Sequence, residues 1–238
     1  MTTHTESIDQ KILERIRALL AKAEASSFPE EADAFTAKAQ WLMSKHSIEQ
    51  ALLEGGAHST NARSLRLVHD APYASQKATL LSQISRPNAC SAVYEPHRTT
   101  STVFGFEHDL AAVELLYTSL LVQASSEMMQ AERAGGFDPS RIKSFRAAFF
   151  IGYGSRVAQR LRDIRDLAAA DATEQTGRDV LPVLASREVV VNDAMREVFP
   201  HTTSRRPSLS NGTGYIAGQV AADKADLGPR GARLSNAS

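Results

Sequence analysis

The apolar residues at the start of the chain recur at the spacing of two amphipathic helices. Isoleucine, leucine and alanine residues fall three or four positions apart from Ile8 through Ala23. The spacing breaks over residues 25–28, and Pro29 suits the first turn of a second helix with its own apolar stripe. Two stripes of this kind predict an antiparallel helical hairpin, followed by a short third helix over residues 48–53.

The middle of the chain changes to the alternation typical of β-strands. Leu65 and Leu67 alternate with polar residues, which predicts a short strand. Residues 89–94 and 100–106 are rich in residue types that favour strands, and residues 95–99 between them have the composition of a hairpin loop. We therefore expect a small antiparallel sheet that includes this hairpin.

Two long helices follow the predicted β-hairpin. An apolar face recurs over residues 109–133, and Asp138 suits the N-cap of a second helix over residues 139–170. Apolar residues between Phe145 and Val157 nearly encircle this second helix, which indicates central burial, and glycines inside it indicate close helix packing. The remaining predictions are a helix over 73–84, a strand over 180–184, a helix over 186–199 and a small-residue helix over 212–228.

Together these elements predict an α+β protein that is predominantly helical. It comprises an N-terminal helical hairpin, a small antiparallel sheet packed by two long helices, and helices towards the C-terminus. The stretch from residue 55 to residue 63 is rich in Gly, Ser, Thr and Asn, as in a linker. We expect three regions: a hairpin over 1–54, an α+β domain over 64–200, and a flexible basic segment with a small-residue helix over 201–238.

Composition narrows the classes of function. The chain has 238 residues, of which 42% are hydrophobic and 23% charged, as in an ordinary globular protein. Its 27 basic and 27 acidic residues cancel, so only a local patch would favour binding to nucleic acid or a membrane. The single cysteine, Cys90, excludes an intramolecular disulfide and a cysteine-rich zinc site. Without a signal-like N-terminus or a run of roughly 20 apolar residues, we expect a cytoplasmic protein.

The N-terminal hairpin carries a specific sequence pattern. The pattern consists of ILERIRALLAKAE at residues 12–24, EADA at residues 31–34 and AKAQWLMSKH at residues 37–46. It resembles DUF2786, a domain of unknown function that occurs in bacterial, especially actinobacterial, and phage proteins. Trp41 and His46 depart from the usual pattern, which has a polar or aliphatic residue and a tyrosine there. The resemblance implies a domain boundary near residue 55 and a companion region behind it, but no activity, substrate or cofactor.

Glu107, His108 and Asp109 form the most site-like cluster in the sequence. They follow a predicted strand and open a predicted helix, a place where polar groups converge. Two carboxylates and an imidazole are able to bind a divalent metal ion or transfer protons, and Glu95 and His97 in the predicted hairpin loop are candidates for further metal ligands. The alternative is structural: Asp109 caps the helix, Glu107 complements its dipole and His108 is solvated.

Several familiar catalytic motifs are missing from the sequence. It contains no His-Glu-x-x-His, no Gly-x-Ser-x-Gly and no phosphate-binding P-loop. Cys90 lies in a predicted strand and has the character of a buried apolar residue, although a nucleophile pair with His97 is an alternative. We therefore predict no cofactor, and a divalent metal ion only under the metal-site hypothesis.

Basic residues are the other candidate for a binding surface. Projected at about 100° per residue, Arg146, Arg156 and Arg160 share one face of the helix over 139–170. Arg205 and Arg206 follow in a polar segment. A phosphate-binding surface needs such clustering, although acidic residues in the same helix dilute it.

Two hypotheses about function follow. The first is a non-enzymatic interaction module that binds nucleic acid or a protein partner through the hairpin and the arginine-bearing surfaces. The alternative is a metal-dependent hydrolase or nuclease that uses the carboxylates and histidine at the β-to-helix junction. A third interpretation, a purely structural subunit of an assembly, leaves the oligomeric state open.

Overall fold

The fold combines α-helices with one small antiparallel sheet. A computed structural model of the chain describes residues 2–26, 29–53, 62–135, 138–204 and 210–224. Its helices are α1 (Thr2–Ala25), α2 (Pro29–Leu53), α3 (Ala74–Ser85), α4 (Glu107–Gly135), α5 (Pro139–Thr176), α6 (Leu181–Val198) and α7 (Gly212–Lys224). Its strands are β1 (Arg63–Val68), β2 (Ser91–Glu95) and β3 (Thr100–Gly105), with short 3-10 helices at Arg86–Asn88 and Pro96–Arg98. The predicted fold class, α+β and predominantly helical, is confirmed.

The sheet has the strand order β1-β3-β2, and both outer strands run antiparallel to β3. Leu65 of β1 and Ala92 of β2 both lie opposite Val103 of the central strand. Val103 is fully buried, and the other two side chains pack on the same hydrophobic core. The 3-10 turn between β2 and β3 confirms the predicted hairpin.

Helix α5 lies at the centre of the helical part and contacts α2, α3 and α7. Phe145, Phe149 and Tyr153 follow one another at one-turn spacing and are fully buried, which confirms the predicted central burial. At its start, the Asp138 carboxylate accepts a hydrogen bond from the Ser140 backbone N–H, as expected of an N-cap. None of the described helices, even this long one, is apolar over enough of its length to cross a membrane.

Helix α7 packs on α5 through glycines. A Cβ atom at Gly214 would collide with the backbone carbonyl of Phe145, and a Cβ atom at Gly218 would collide with that of Phe149. Gly152 of α5 faces the backbone carbonyl of Tyr215 in the same way. The two backbones are therefore too close for any side chain at these positions, as the glycines in both segments predicted.

Helices α1 and α2 pack against each other and also against the rest of the chain. Ile16 and Leu20 of α1, with Ala39 and Met43 of α2, are buried in the same hydrophobic core as residues of α4 and α5. The predicted helical hairpin is thus present. The division of the chain into three regions stays a prediction, because the hairpin shares its core with the helices that follow.

Two predicted elements are wrong. Residues 48–53 continue α2 without a break, because Ile48 and Ala51 extend its buried stripe onto α5 and α6. Residues 180–184 lead into α6 instead of forming a strand, and Val180 and Leu184 pack beside these two residues. A short apolar run does not distinguish a strand from a buried helix by its pattern alone.

Candidate functional site

Helix α4 positions the three residues of the predicted site. The helix begins at Glu107, directly after Phe106, so Asp109 lies inside its first turn and does not cap it. Asp109 is buried, with 4% of its surface exposed, while Glu107 points to solvent and pairs with Arg63 at 3.1 Å. His108 is mostly enclosed, with a side-chain exposure of 12%, so the prediction of a solvated His108 is wrong.

Arg187 of α6 organises a buried network around these residues. Its Nη2 donates to Oδ2 of Asp109 at 3.1 Å and lies 3.2 Å from Nε2 of His108. The same His108 Nε2 lies 3.3 Å from Oδ1 of Asp109. The guanidinium group also sits over the ring of Phe106, 3.7 Å from the ring centroid, which adds a cation–π interaction.

Helix α2 completes the network from the N-terminal hairpin. The Ser47 hydroxyl hydrogen-bonds the Asp109 carboxylate, and the His46 ring lies edge-on to the His108 ring with centroids 5.4 Å apart. The network therefore joins α2, α4 and α6. We define the five residues His46, Ser47, His108, Asp109 and Arg187 as the α2–α4–α6 network.

Burial and nearby charges shift the pKa values of Asp109 and Cys90. Burial by itself would raise the pKa of Asp109, but contacts with His108, Arg187 and Ser47 together lower it below its usual value. Burial raises the pKa of the Cys90 thiol well above its ordinary value, and the Asp109 carboxylate raises it further. The thiol is therefore protonated and unreactive, which argues against a catalytic role for Cys90.

A small cavity adjoins the Asp109 carboxylate. Its volume is about 20 Å³, and Ser44, Ser47 and Arg165 are among the residues that line it. The buried Ser44 hydroxyl has no hydrogen-bond partner within the described part of the chain. A space of this size holds one water molecule but no substrate.

The predicted metal ligands do not come together. Glu95 and His97 flank the start of β3, whereas Glu107 and Asp109 follow its end, and the strand between them is about 17 Å long. Glu95 pairs with Arg98 in the turn, and His97 is exposed there. Across the described ranges, no group of three His, Cys, Asp or Glu residues is arranged to hold a metal ion.

Two of the predicted surface arginines pair with acidic residues of neighbouring helices. Arg146 makes a two-pronged contact with Glu132 of α4, at 2.6 and 2.8 Å, which lowers the pKa of that carboxyl group. Arg156 donates to Asp223 of α7 at 2.6 Å. Both contacts tie α5 to a neighbouring helix, so binding a phosphate there would disrupt them.

Arg160 has a third structural role. It is buried and donates to the backbone carbonyl of Ala222, in the last turn of α7, where a positive charge complements the helix dipole. The helical projection groups the three arginines on one face of α5, but α7 contacts Arg156 and Arg160, and Glu132 of α4 contacts Arg146. Arg205 and Arg206 lie outside the described residues.

Residues 11–50 match the model of a family described as a protein of unknown function, DUF2786. The match covers 40 of the 238 residues, so it is a local similarity of the N-terminal hairpin. The matched segment includes much of α1 and α2, and with them His46 and Ser47 of the network. No curated protein and no solved structure matches the chain.

Trp41 is the aromatic residue at which the DUF2786 pattern changes. Its ring packs against the apolar cluster between α2, α5 and α6. The ammonium groups of Lys38 and Lys45 lie 4.7 and 4.9 Å from the ring centroid, so both lysines are held on the indole. Two basic groups of the hairpin are thus engaged within α2 itself.

Helix α1 also forms one wall of an open groove. The groove lies between α1 and α4 and has a volume of about 400 Å³. Leu20, Ala21, Ala111 and Leu115 give it apolar surface. Its other lining residues are Arg17, Glu114, Thr118 and Ser119.

Two further exposed apolar residues lie along α4 beyond the groove. Ala111, Leu115, Thr118, Val122 and Met129 recur at intervals of four, three, four and seven, which places them on one face of the helix. Val122 and Met129 are 60% and 47% exposed, respectively. We define these five residues as the α4 stripe, and it is about 27 Å long.

A second buried polar cluster lies directly after β1 and was not predicted. The His69 ring contacts the hydroxyl groups of Tyr117 and Ser101, at 3.0 and 2.7 Å, and only 2% of His69 is exposed. Burial, reinforced by Lys77, lowers the pKa of His69. Burial raises the pKa of Tyr117, so both side chains are neutral and their role is to satisfy polar groups in the core.

Proposed function

We propose that the protein is a non-enzymatic interaction module that binds an amphipathic helix of a protein partner along the α4 stripe and the α1–α4 groove. The observation that carries this proposal is the groove itself, an open groove of about 400 Å³ whose apolar surface comes from Leu20, Ala21, Ala111 and Leu115. Val122, further along α4, is 60% exposed. In helix-in-groove recognition, an amphipathic helix lays its apolar face into a groove, and the exposed apolar residues of the α4 stripe would extend that contact.

The charges at the groove define the chemistry of the partner helix. Arg17 lines the groove from α1 and Glu114 lines it from α4. A partner helix that presents an apolar face to Leu115 and Val122 would therefore place acidic side chains towards Arg17 and basic side chains towards Glu114. Such flanking charges select the orientation of the helix and increase its rate of association.

The hydrolase alternative and the nucleic-acid form of the interaction hypothesis have less support. A hydrolase needs room for a substrate beside its carboxylates, but the cavity at Asp109 is about 20 Å³ and the carboxylate is already paired with Arg187. A nucleic-acid interface needs free cations, but Arg146 and Arg156 are paired with carboxylates inside the fold.

Co-purification with the full chain from the cells that naturally make it tests the proposal. Thr118→Arg places a long charged side chain in the groove at an exposed helix position. Ser186→Arg makes a matched change on the exposed face of α6. We expect a specific partner protein whose recovery falls at least about tenfold with Thr118→Arg, equivalent to ~1.4 kcal/mol, and is unchanged with Ser186→Arg.

Extracts are treated with nuclease before purification, so that nucleic acid does not bridge proteins. A partner that disappears on nuclease treatment would support the nucleic-acid hypothesis instead. If no protein is lost selectively with Thr118→Arg, the groove is not the binding site and the proposal fails.

A further inference from the structure

Ser44 of α2 is a buried serine whose hydroxyl group does not bond to its own helix. Only 6% of Ser44 is exposed, and its Oγ has no hydrogen-bond partner among the described residues. Other helical hydroxyl groups donate to the backbone carbonyl group four residues earlier, as at Thr79, Ser85, Thr118, Ser125 and Ser186. That carbonyl group is the local partner available to a serine inside a helix, and Ser44 does not use it. Since a buried polar group without a partner is costly, the hydroxyl group indicates a bound molecule beside it.

The small cavity beside Asp109 brings this hydroxyl group together with other polar side chains. The polar residues that line it come from α2, the first 3-10 helix, α4 and α5, and they are Ser44, Ser47, Asn88, Asp109 and Arg165. A buried water molecule needs about 10–15 Å³ of such space and roughly two to four polar partners. The cavity measures about 20 Å³, so it accommodates one water molecule and excludes larger ligands.

We propose that this cavity binds one water molecule, which bridges the Ser44 hydroxyl group of α2 and the Asp109 carboxylate of α4. The Ser44 hydroxyl group donates to the water oxygen, and the water donates one of its hydrogens to the carboxylate. The water molecule thereby gives the buried hydroxyl group the partner that its own helix does not supply. The cavity shares no lining residue with the α1–α4 groove, so the proposal is independent of the function proposed above.

The charges around the cavity favour a neutral ligand over an ion. A cation would lie beside Arg165, and an anion would face the Asp109 carboxylate. Both of these charges are already paired within the fold, since Arg187 donates to Asp109 at 3.1 Å. Arg165 in turn donates to Glu188 of α6. A water molecule adds no charge to either pair.

The bridging water gives α2 a second polar contact with α4. The Ser47 hydroxyl group already hydrogen-bonds the Asp109 carboxylate directly. Ser44 lies three residues earlier, on the same side of α2, so the water reaches the same carboxylate from the preceding turn. Two contacts one turn apart fix the position of α2 along α4 more firmly than one contact does.

A crystal structure of the full chain at a resolution that shows ordered water provides the first test. We expect one water molecule within about 2.7–3.2 Å of Ser44 Oγ and of an Asp109 carboxylate oxygen. Ser44→Ala should remove or displace it, whereas Ser85→Ala, which removes a buried hydroxyl group bonded to its own helix, should retain it. The proposal is overturned if the wild-type cavity contains no water or contains an ion, or if Ser44 donates to the carbonyl group of Gln40 instead. The wild-type result does not depend on whether the variants fold.

Stability gives a second test in solution, because a bound water and an unpartnered hydroxyl group predict opposite signs. If the Ser44 hydroxyl group had no partner, Ser44→Ala would remove a buried unsatisfied group and raise the urea concentration at the unfolding midpoint. With the water bound, the substitution removes a bridging hydrogen bond, and we expect the midpoint to fall. Ser126→Ala, at an exposed position of α4, is the control for the higher helix propensity of alanine. A Ser44→Ala variant that is more stable than Ser126→Ala would contradict the proposal.

Discussion

The contact between α5 and α7 gives a sharp prediction about glycine. In the middle of a helix, replacing glycine with alanine normally stabilises the protein by about 1 kcal/mol, because alanine has the higher helix propensity. At Gly218 we expect the opposite, since the new Cβ atom would collide with the backbone of Phe149 and Tyr153 on α5. Backbone atoms in a central helix are unable to rotate away as a flexible side chain does.

The expected loss of stability is the cost of overpacking minus the gain in helix propensity. Overpacking a well-packed contact costs about 1–3 kcal/mol, and the propensity gain offsets about 1 kcal/mol of it. Gly218→Ala should therefore lower the free energy of unfolding by up to about 2 kcal/mol. A displaced α7 would also weaken the contacts that Arg156 and Arg160 make with its last turn.

Gly212→Ala in the same helix is the matched control. A Cβ atom at Gly212 meets nothing within 4 Å, so the same substitution should be neutral or slightly stabilising there. Urea denaturation followed by circular dichroism measures both variants, and amide hydrogen exchange in α7 shows whether the loss is local. The packing argument is refuted if Gly218→Ala is as stable as Gly212→Ala.

Two further predictions concern buried charge. Because burial lowers the pKa of His69, the unfolded chain takes up a proton first as the pH falls below about 6.5. Stability should be fully present above that pH and decline below it by at most ~1.4 kcal/mol per pH unit, and denaturation at pH 7.5 and pH 5.5 should show a smaller decline in His69→Gln. Arg187→Met should destabilise the protein by about 3–5 kcal/mol, since it leaves the Asp109 carboxylate buried without its cation. Adding Asp109→Asn to Arg187→Met should restore part of that loss in the same assay. If the double variant instead loses as much stability as the two single variants added together, the two side chains do not form a pair.

Spacing along the chain predicted the elements that depend on neighbouring residues. The two long helices, the β2–β3 hairpin and the Asp138 cap each rest on contacts between residues a few positions apart, which the sequence displays directly. The short apolar runs at residues 48–53 and 180–184 were misassigned, because their pattern fits more than one kind of element. Their helical form depends on packing against α5, which no local pattern specifies.

The candidate site depends on a contact between residues that are far apart in the sequence. The cluster from Glu107 to Asp109 was found as a polar motif, but the group that fixes its chemistry, Arg187, is 78 positions further along the chain. One signal was available: Arg187 follows Leu184 by three residues and precedes Val191 by four, so it lies on the apolar face of α6. A cation on such a face needs a buried anion, although only the fold identifies that anion as Asp109.

The arginines of α5 also depend on contacts that the sequence pattern does not reveal. A helical projection shows which side chains share a face, and Arg146, Arg156 and Arg160 do share one. It does not show which helix covers that face. Helix α7 supplies Asp223 and a carbonyl group there, and the predicted phosphate-binding surface becomes a set of helix–helix contacts.

Site-specific photo-cross-linking tests the proposed interaction surface most directly. A photoreactive phenylalanine analogue replaces Val122 on the α4 stripe or, as the control, Val189 on α6; the two side chains are 60% and 57% exposed, respectively. After irradiation of the native cells, we expect one protein adduct from position 122, formed through a helical segment of the partner, and no such adduct from position 189. Identical adducts from both positions, or none from position 122, would contradict the account.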